Sequence, residues 1–379
     1  MPSTVLLLEV PSYDREVLFP ALERAMELLP AELAPHAPLL LKPNLLVPAT
    51  PESAVCTHPA IVAATIEALR DRGFDRLAAG DSPAVHPVAA VARTAGIGEI
   101  LEKLEVPLVS FADPVAVDNP GARLFRSIPL ARSVVERGNL VNLARLKTHG
   151  FTRYSGACKN LFGCVPGTTK ASLHLRYHRQ ETFAWMIADL VRYLEPPISV
   201  VDGIVAMEGR GPRNGRPRRG NFLLASRDPV AADAVACRLV GIDPRNVLHL
   251  RFAAAAGIGR IEPEDIEVLG DDPATLAVPD FEHAPEPPEI GGMLPTFLVP
   301  LARRLFHPRA AVDPGLCTRC GDCITICPSG AMLKTAAGPP RPKPRFCIGC
   351  RCCEEVCPAD AVRIEGPVLS LARRKRSGA

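Results

Sequence analysis

Residues 317–328 read CTRCGDCITICP, and residues 347–358 read CIGCRCCEEVCP. Cys317, Cys320, Cys323 and Cys327 stand two, two and three residues apart, with Pro328 next; Cys347, Cys350, Cys353 and Cys357 repeat the spacing, with Pro358 next. Three thiolates on a tight loop can cap three irons of a 4Fe–4S cubane, while the fourth, carried on by the following turn, reaches a second cubane. The expected ligand sets are therefore Cys317, Cys320, Cys323 and Cys357 for one cluster, and Cys347, Cys350, Cys353 and Cys327 for the other. Two zinc sites or a disulfide framework would use the same sulfurs, but the doubled spacing ending in proline is that of 4Fe–4S ligation. Gly321 and Gly349 are expected to let backbone amides approach the cluster sulfurs. Cys352 breaks no spacing and is expected to be a spare thiol.

Residues 308–366 resemble the bacterial two-cluster ferredoxins, which implies a small α+β domain that carries single electrons. Residues 308–379 hold 12 Lys and Arg against 6 Asp and Glu, whereas the rest of the chain holds 32 against 35. Each oxidised cluster with its thiolates carries about two negative charges, so the surplus can compensate the metal centres. Alternatively, Lys334, Arg341, Lys343, Arg345 and Arg351 form a docking face for an acidic electron donor or acceptor. The overall net charge of +3 gives no reason to expect nucleic acid.

Working back toward the N-terminus, DDPATLAVPDFEHAPEPPEI from Asp271 has the composition of a linker. A short apolar segment follows, so that 271–307 is expected to connect the cysteine-rich domain (308–366) to a larger one (1–270), with a basic tail at 367–379. Residues 293–306, MLPTFLVPLARRLF, contain two prolines and two arginines and are too short to span a bilayer. The segment is expected to pack or link, with contact at a membrane surface as the alternative. The start of the chain, MPSTVLLLEVPSYDREV, lacks a basic region and is not expected to act as an export signal. Thirteen cysteines without export point to metal ligation in a reducing compartment, and a cytoplasmic location is expected.

From residue 3 to about 270, apolar runs alternate with helical periodicity. Strands are expected at 4–9, 38–42, 76–79, 107–111, 140–143, 198–201, 222–225 and 266–269, and helices at 14–29, 58–72, 180–194 and 228–240. The alternation predicts an α/β domain, a large mostly parallel sheet with helices on both faces. It has no Gly-rich dinucleotide fingerprint, no phosphate-binding lysine loop and no nucleophile elbow.

Polar motifs stand where the apolar runs stop: KPNL (42–45), GDSP (80–83), LKTHG (146–150), KNLFG (159–163), VDGIVAMEGRGP (201–212) and DPVAADAV (228–235). Together they resemble the family known as domain of unknown function 362, over residues 1–270. Members of that family often carry a ferredoxin module of this kind at the C-terminus. Cys158 and Cys164 replace the apolar residues usual there.

Lys42, Lys147, His149 and Lys159 are the candidate catalytic residues, able to hold an anion and supply protons. Asn44, Asp81, Ser82, Asn160, Lys170, His174, Asp202 and Glu208 are the candidate substrate-binding residues. Any of the lysine amines could form a Schiff base, and no one of them stands out in the sequence. His58 and Asp228 open helices and are read equally well as caps, and the arginines of 210–219 as a solvated loop or a lid over an anion. The expected function is an iron–sulfur oxidoreductase acting on an anionic small molecule. The alternative is a non-catalytic electron carrier or assembly factor whose α/β domain docks a partner protein.

Overall fold

The computed structural model describes residues 2–285 and 309–365, so the expected apolar segment and the basic tail lie outside the described residues. The chain divides into two compact units: residues 1–170 with 179–284, and residues 171–178 with 285–379.

The first unit opens with β1 (Ser3–Glu9), α1 (Arg15–Met26), β2 (Leu39–Pro43), α2 (Pro59–Asp71) and β3 (Leu77–Asp81). Next come α3 (Val88–Thr94), α4 (Ile97–Lys103), β4 (Leu108–Ser110), β5 (Pro114–Asp118), β6 (Ser127–Ala131) and α5 (Arg132–Arg137). The central stretch holds β7 (Asn139–His149), β8 (Arg153–Ser155), α6 (Ala157–Asn160), the first turn of α7 (Gly167–Arg176), whose remainder groups with the second unit, and α8 (Gln180–Leu194). It closes with β9 (Ile198–Glu208), β10 (Arg216–Ser226), α9 (Pro229–Leu239), α10 (Leu248–Ala255) and β11 (Ile266–Gly270).

One mixed sheet runs in the order β11-β1-β10-β9-β7-β2-β3-β4, with β8 paired to β7. The β11–β1, β9–β7, β7–β2, β2–β3 and β3–β4 pairs are parallel, and β1–β10, β10–β9 and β7–β8 are antiparallel. The apolar runs are continuous because both faces are covered. Leu6, Leu8, Leu39, Leu41, Val141, Leu143, Ile198 and Val200 pack with α1 and α2. On the opposite pleat, Val5, Leu7, Leu40 and Val201 are buried with the apolar residues of α9. Each fully buried Leu or Val contributes about 1.5–3 kcal/mol of transfer free energy.

Helix starts follow the local chemistry. The Nδ1 atom of His58 accepts the Ala60 N–H at 3.2 Å, and Asp228 accepts the N–H groups of Val230 and Ala231 at 2.8 and 3.1 Å. Proline fills the first turn of both helices, where a missing N–H costs nothing. Both residues are thus caps.

Three expectations need correction. Strand β7 does not stop at Leu143 but continues through Arg145 and Lys147 to His149, because those cations find buried partners on one pleat. The arginine-rich stretch is not a lid: Arg216, Arg218 and Arg219 lie on β10, where Arg216 pairs with Glu208 and Glu282, and Arg218 with Asp280. Those acidic partners show why 271–284 is not free linker. Leu276, Val278, Phe281 and Ala284 are buried, Val278 N–H donates to the Leu239 carbonyl, and Gly209 N–H donates to the Glu282 carbonyl. The β5–β6 hairpin, a separate two-stranded sheet, gave no sequence signal that distinguished it from loop.

Candidate functional site

In the second unit, Arg309–Val312 pairs antiparallel with Val362–Glu365, and helical turns follow each cysteine loop at Asp322–Thr325 and Cys352–Val356. The two halves share a backbone pattern. Arg319, Gly321 and Gly330 have φ of 59°, 90° and 61°, and Gly349, Arg351 and Asp360, at the equivalent places of the second half, have 70°, 65° and 50°. These left-handed residues curl the loop back on itself. Glycine meets that demand without strain at one of the first two places in each half and arginine fills the other. The glycines therefore serve the turn.

Cys317, Cys320, Cys323 and Cys357 line one cavity, together with Val312, Pro340 and Val362. Cys327, Cys347, Cys350 and Cys353 line another, together with Ala310, Met332 and Ile364. The empty space is about 310 Å³ in the first and about 340 Å³ in the second, open to solvent. None of the thirteen cysteines forms a disulfide. Among the described residues, no three His, Cys, Asp or Glu side chains converge as a single ion would require. Four thiols around a cavity, too far apart for one ion, fit a cubane better than zinc. Ala361 N–H donates to Cys357 Sγ at 3.3 Å. Cys323 and Cys353, one from each set, lie close enough to influence each other electrostatically. Cys352 lines neither cavity, is buried, and points its thiol to the Cys350 carbonyl at 3.9 Å. His174 belongs to residues 171–178, which group with this second unit, and is buried.

In the first unit, the end of β2 and the α6 region build a cationic cluster. Lys42, with no exposed side-chain surface, meets Asp81 at 3.0 Å, the Pro43 carbonyl at 2.9 Å and Asn160 Oδ1 at 3.3 Å. Asp81 also accepts the N–H groups of Leu45 and Ser82, both at 2.7 Å. Asn160 returns hydrogen bonds to the Lys42 carbonyl at 3.2 Å and to Asn142 Oδ1 at 2.8 Å. Lys159 and Lys170 stand over the Phe162 ring, 5.0 and 5.7 Å from its centroid. Lys170 also donates to the Ser82 carbonyl, and burial together with Lys42 and Lys159 lowers its pKa to about 8. Lys42 and Lys170 thus both feel the Asp81 carboxylate, and Lys159 acts on Lys170.

Asp233 holds the short α6 in place. Its carboxylate accepts Ala157 N–H at 2.6 Å, Cys158 N–H at 2.8 Å and the Tyr154 hydroxyl at 2.9 Å. Burial raises its pKa to about 6. His249, 1% exposed, has an Nε2 without a hydrogen-bond partner, and burial, then the Lys159 charge, lowers its pKa to about 3. Sequence reasoning passed over Tyr154 and His249, which stand in no polar motif.

Lys147 does not join the other lysines. Lys42 pairs in register with Asn142, and strand alternation turns Lys147, an odd number of residues farther on, to the other face. There it donates to Asn44 Oδ1 at 2.6 Å and to the Val55 carbonyl at 2.8 Å. Arg145, on the same pleat, pairs with Asp202 at 2.7 Å, and Tyr13 donates to both Asp202 oxygens at 2.9 and 3.1 Å. The Tyr13 ring stacks on His58, centroids 3.5 Å apart. Burial, more than the Arg145 charge, lowers the His58 pKa to about 4, so the ring is neutral. Tyr13 and Arg145 were not among the expected site residues.

His149 caps the β7–β8 turn, its Nδ1 accepting Phe151 N–H at 3.1 Å. Glu208 accepts Glu282 N–H at 3.0 Å and holds the 271–284 strap. Of the expected residues, Lys42, Asp81, Ser82, Lys159, Asn160 and Lys170 therefore come together. Asn44, Lys147 and Asp202 lie on the other face of the sheet, His149 caps a turn and Glu208 holds the 271–284 strap.

Among known proteins, the family described as Domain of unknown function (DUF362) matches residues 39–238, and a 4Fe-4S dicluster domain matches residues 309–358. The Thylakoid-associated protein sll1697 of Synechocystis sp. is 33% identical over 252 residues, which cover 65% of this chain and 77% of that protein. The B subunit of the anaerobic dimethyl sulfoxide reductase of Haemophilus influenzae is 47% identical over 47 residues, 12% of this protein and 23% of that one. Among the described residues, no helix is long and apolar enough to cross a membrane.

Proposed function

Starting from a chain that belongs to the Domain of unknown function (DUF362) family and carries a 4Fe–4S dicluster domain, we propose that it is an iron–sulfur oxidoreductase. In this reading two clusters exchange single electrons with an anionic small molecule bound by Lys42, Lys159 and Lys170. The observation that carries it is the gathering of positive charge: Lys42 is paired with Asp81, and Lys159 and Lys170 both stand over the Phe162 ring, with Lys42 and Lys159 each disfavouring the charge on Lys170, a field that attracts an anion.

Cys317, Cys320, Cys323 and Cys357 would hold one cluster, and Cys347, Cys350, Cys353 and Cys327 the other. Such clusters cycle one electron at a potential set by charge, hydrogen bonds and exposure. The Ala361 amide on Cys357 is one such hydrogen bond. Lys42, locked to Asp81, supplies fixed positive charge; Lys159 and Lys170 orient the anion, and Lys170 can give up a proton near neutral pH.

The electron donor is an acidic protein that docks on the basic face of the iron–sulfur unit. Phe346 is 46% exposed beside Lys343 and Arg345, whose charges lie 5.9 and 4.7 Å from its ring. Arg351 is turned instead to Glu354 at 2.8 Å. A reducing cytoplasm suits thirteen cysteines without a disulfide.

A second reading, an electron carrier or assembly factor without catalysis, is favoured by the likeness to one subunit of a reductase. The test separates them. Anaerobic protein, reduced with dithionite, is mixed with a panel of small carboxylates and followed by EPR. Reoxidation by one carboxylate, lost in Lys159→Ala with iron content intact, supports the oxidoreductase. Reoxidation only by a protein acceptor, indifferent to Lys159→Ala, supports the carrier.

A further inference from the structure

The lysines of the cationic cluster differ in what they have left to give. Lys42 commits three protons to three acceptors, Asp81, the Pro43 carbonyl and Asn160, and is wholly buried. Among the described residues Lys170 donates one hydrogen bond, to the Ser82 carbonyl, and part of its side chain stays exposed. Its position is fixed at its base. Gly167 N–H, in the first turn of the same helix, donates to Ser82 Oγ at 2.6 Å, and a Cβ on Gly167 would lie 2.4 Å from the Pro83 carbonyl oxygen. Ser82 thus holds both the start of α7 and the end of the Lys170 side chain. The Phe162 ring lines one side.

Four ionisable groups act on Lys170: Lys42 and Lys159 push its proton off, and Asp81 and Cys164 favour keeping it. Burial outweighs them all, and the pKa falls to about 8. An ammonium with one acceptor and two like charges for neighbours gives up its proton readily, and the resulting lone pair is nucleophilic.

We propose that Lys170 is a covalent attachment site for an anionic carbonyl compound of the 2-oxo acid class, which it binds as an imine. The inference rests on the anion-site reading above. The Nζ lone pair forms a bond to the carbonyl carbon. The nitrogen sheds one proton before attack and a second from the carbinolamine, both C–O bonds of the carbonyl are lost as a C=N bond forms, and the oxygen leaves as water with those two protons, so that the ammonium and the carbonyl give a protonated imine and water. No electrons are gained or lost in this step. The substrate carboxylate lies beside Lys170 in the positive field of Lys42 and Lys159, the two charges that disfavour the Lys170 ammonium.

The experiment uses full-length, cluster-containing protein with glyoxylate and cyanoborohydride, followed by peptide mass spectrometry. The expected result is a reduced adduct on Lys170, formed about ten-fold faster than on any other lysine because more of its amine is neutral at pH 7.5. Its rate should rise through pH 8. Lys170→Arg should abolish it while iron content and the cluster spectrum stay as in the parent. Adducts spread over exposed lysines, or unchanged in Lys170→Arg, overturn the proposal. Oxalate, a dianion without an electrophilic carbonyl, separates the two levels. Should oxalate protect Lys170 from acetic anhydride while glyoxylate leaves no adduct, the imine is refuted and the anion site stands. Should neither anion alter the labelling of Lys170, both are refuted.

Discussion

Gly163 and Asp81 approach so closely that a Cβ on Gly163 would lie 2.2 Å from Asp81 Oδ1 and 2.4 Å from Lys42 Nζ. The glycine of KNLFG is there for the ion pair of KPN and GDSP: only a residue without a side chain lets the α6 segment close over two buried charges. Gly163→Ala should therefore part Lys42 from Asp81 and lower the stability of the α/β unit by about 3 kcal/mol, the cost of a broken buried pair. Thermal unfolding followed by tryptophan fluorescence would measure it. A change below about 0.5 kcal/mol would mean that the segment yields freely.

Lys147 and Lys159 provide a contrast within one cationic set. Lys159→Ala should weaken carboxylate-dependent reoxidation of the clusters by about ten-fold or more. Lys147→Ala, on the other face of the sheet, should act chiefly on stability by leaving Asn44 Oδ1 and the Val55 carbonyl unpaired. Stopped-flow reoxidation and a denaturation curve on each variant would check the split.

The crosswise cavities give a prediction about spectra. Cys357→Ser should disturb the same EPR signal as Cys317→Ser, and Cys327→Ser the same signal as Cys347→Ser. If Cys357→Ser resembled Cys347→Ser instead, each cluster would be held within one half of the sequence.

Lys343 and Arg345 flank an exposed Phe346 next to Cys347. Reversing both charges should slow electron transfer from reduced flavodoxin, an acidic donor, by about ten-fold at low salt. The difference should shrink as salt screens it. Equal rates at all ionic strengths would remove this face from consideration.

The pH dependence of the α/β unit carries two opposed contributions. His249 titrates at about 3 in the folded protein and near its ordinary 6.5 when unfolded. Its neutral form thus contributes stability that is present above pH 6.5 and lost as pH falls toward 3. Asp233, raised from 3.8 to about 6, does the reverse: folding holds its proton, so its contribution is lost as pH rises from about 4 through 6. His249→Gln should flatten the loss of amide protection between pH 6.5 and 5, and Asp233→Asn should steepen it. Hydrogen exchange of first-unit amides in the full chain would read both slopes. Parallel slopes in the two variants would contradict the assignment.

The strands were legible because their apolar runs are long and continuous; all eight expected ones are present. What misled was charge within a strand. Arg145 and Lys147 look like an end to β7, yet each has a buried partner contributed by a distant segment, Asp202 and Asn44. The acidic run from Asp271 looks like linker for the same reason, because its partners Arg216 and Arg218 lie on β10.

The sequence by itself determined the iron–sulfur module, since cysteine spacing is local and a cubane demands three thiolates on one loop. It also determined the α/β class, through periodicity, and the capping roles open to His58 and Asp228. Which lysines share a site was decided only by the tertiary structure. Lys42 and Lys147 belong to neighbouring strands, and whether they meet depends on the β2–β7 register and on the alternation of side chains across the sheet. A strand displaced by one residue would have exchanged the two faces, and nothing local in KPN or LKTHG records that register.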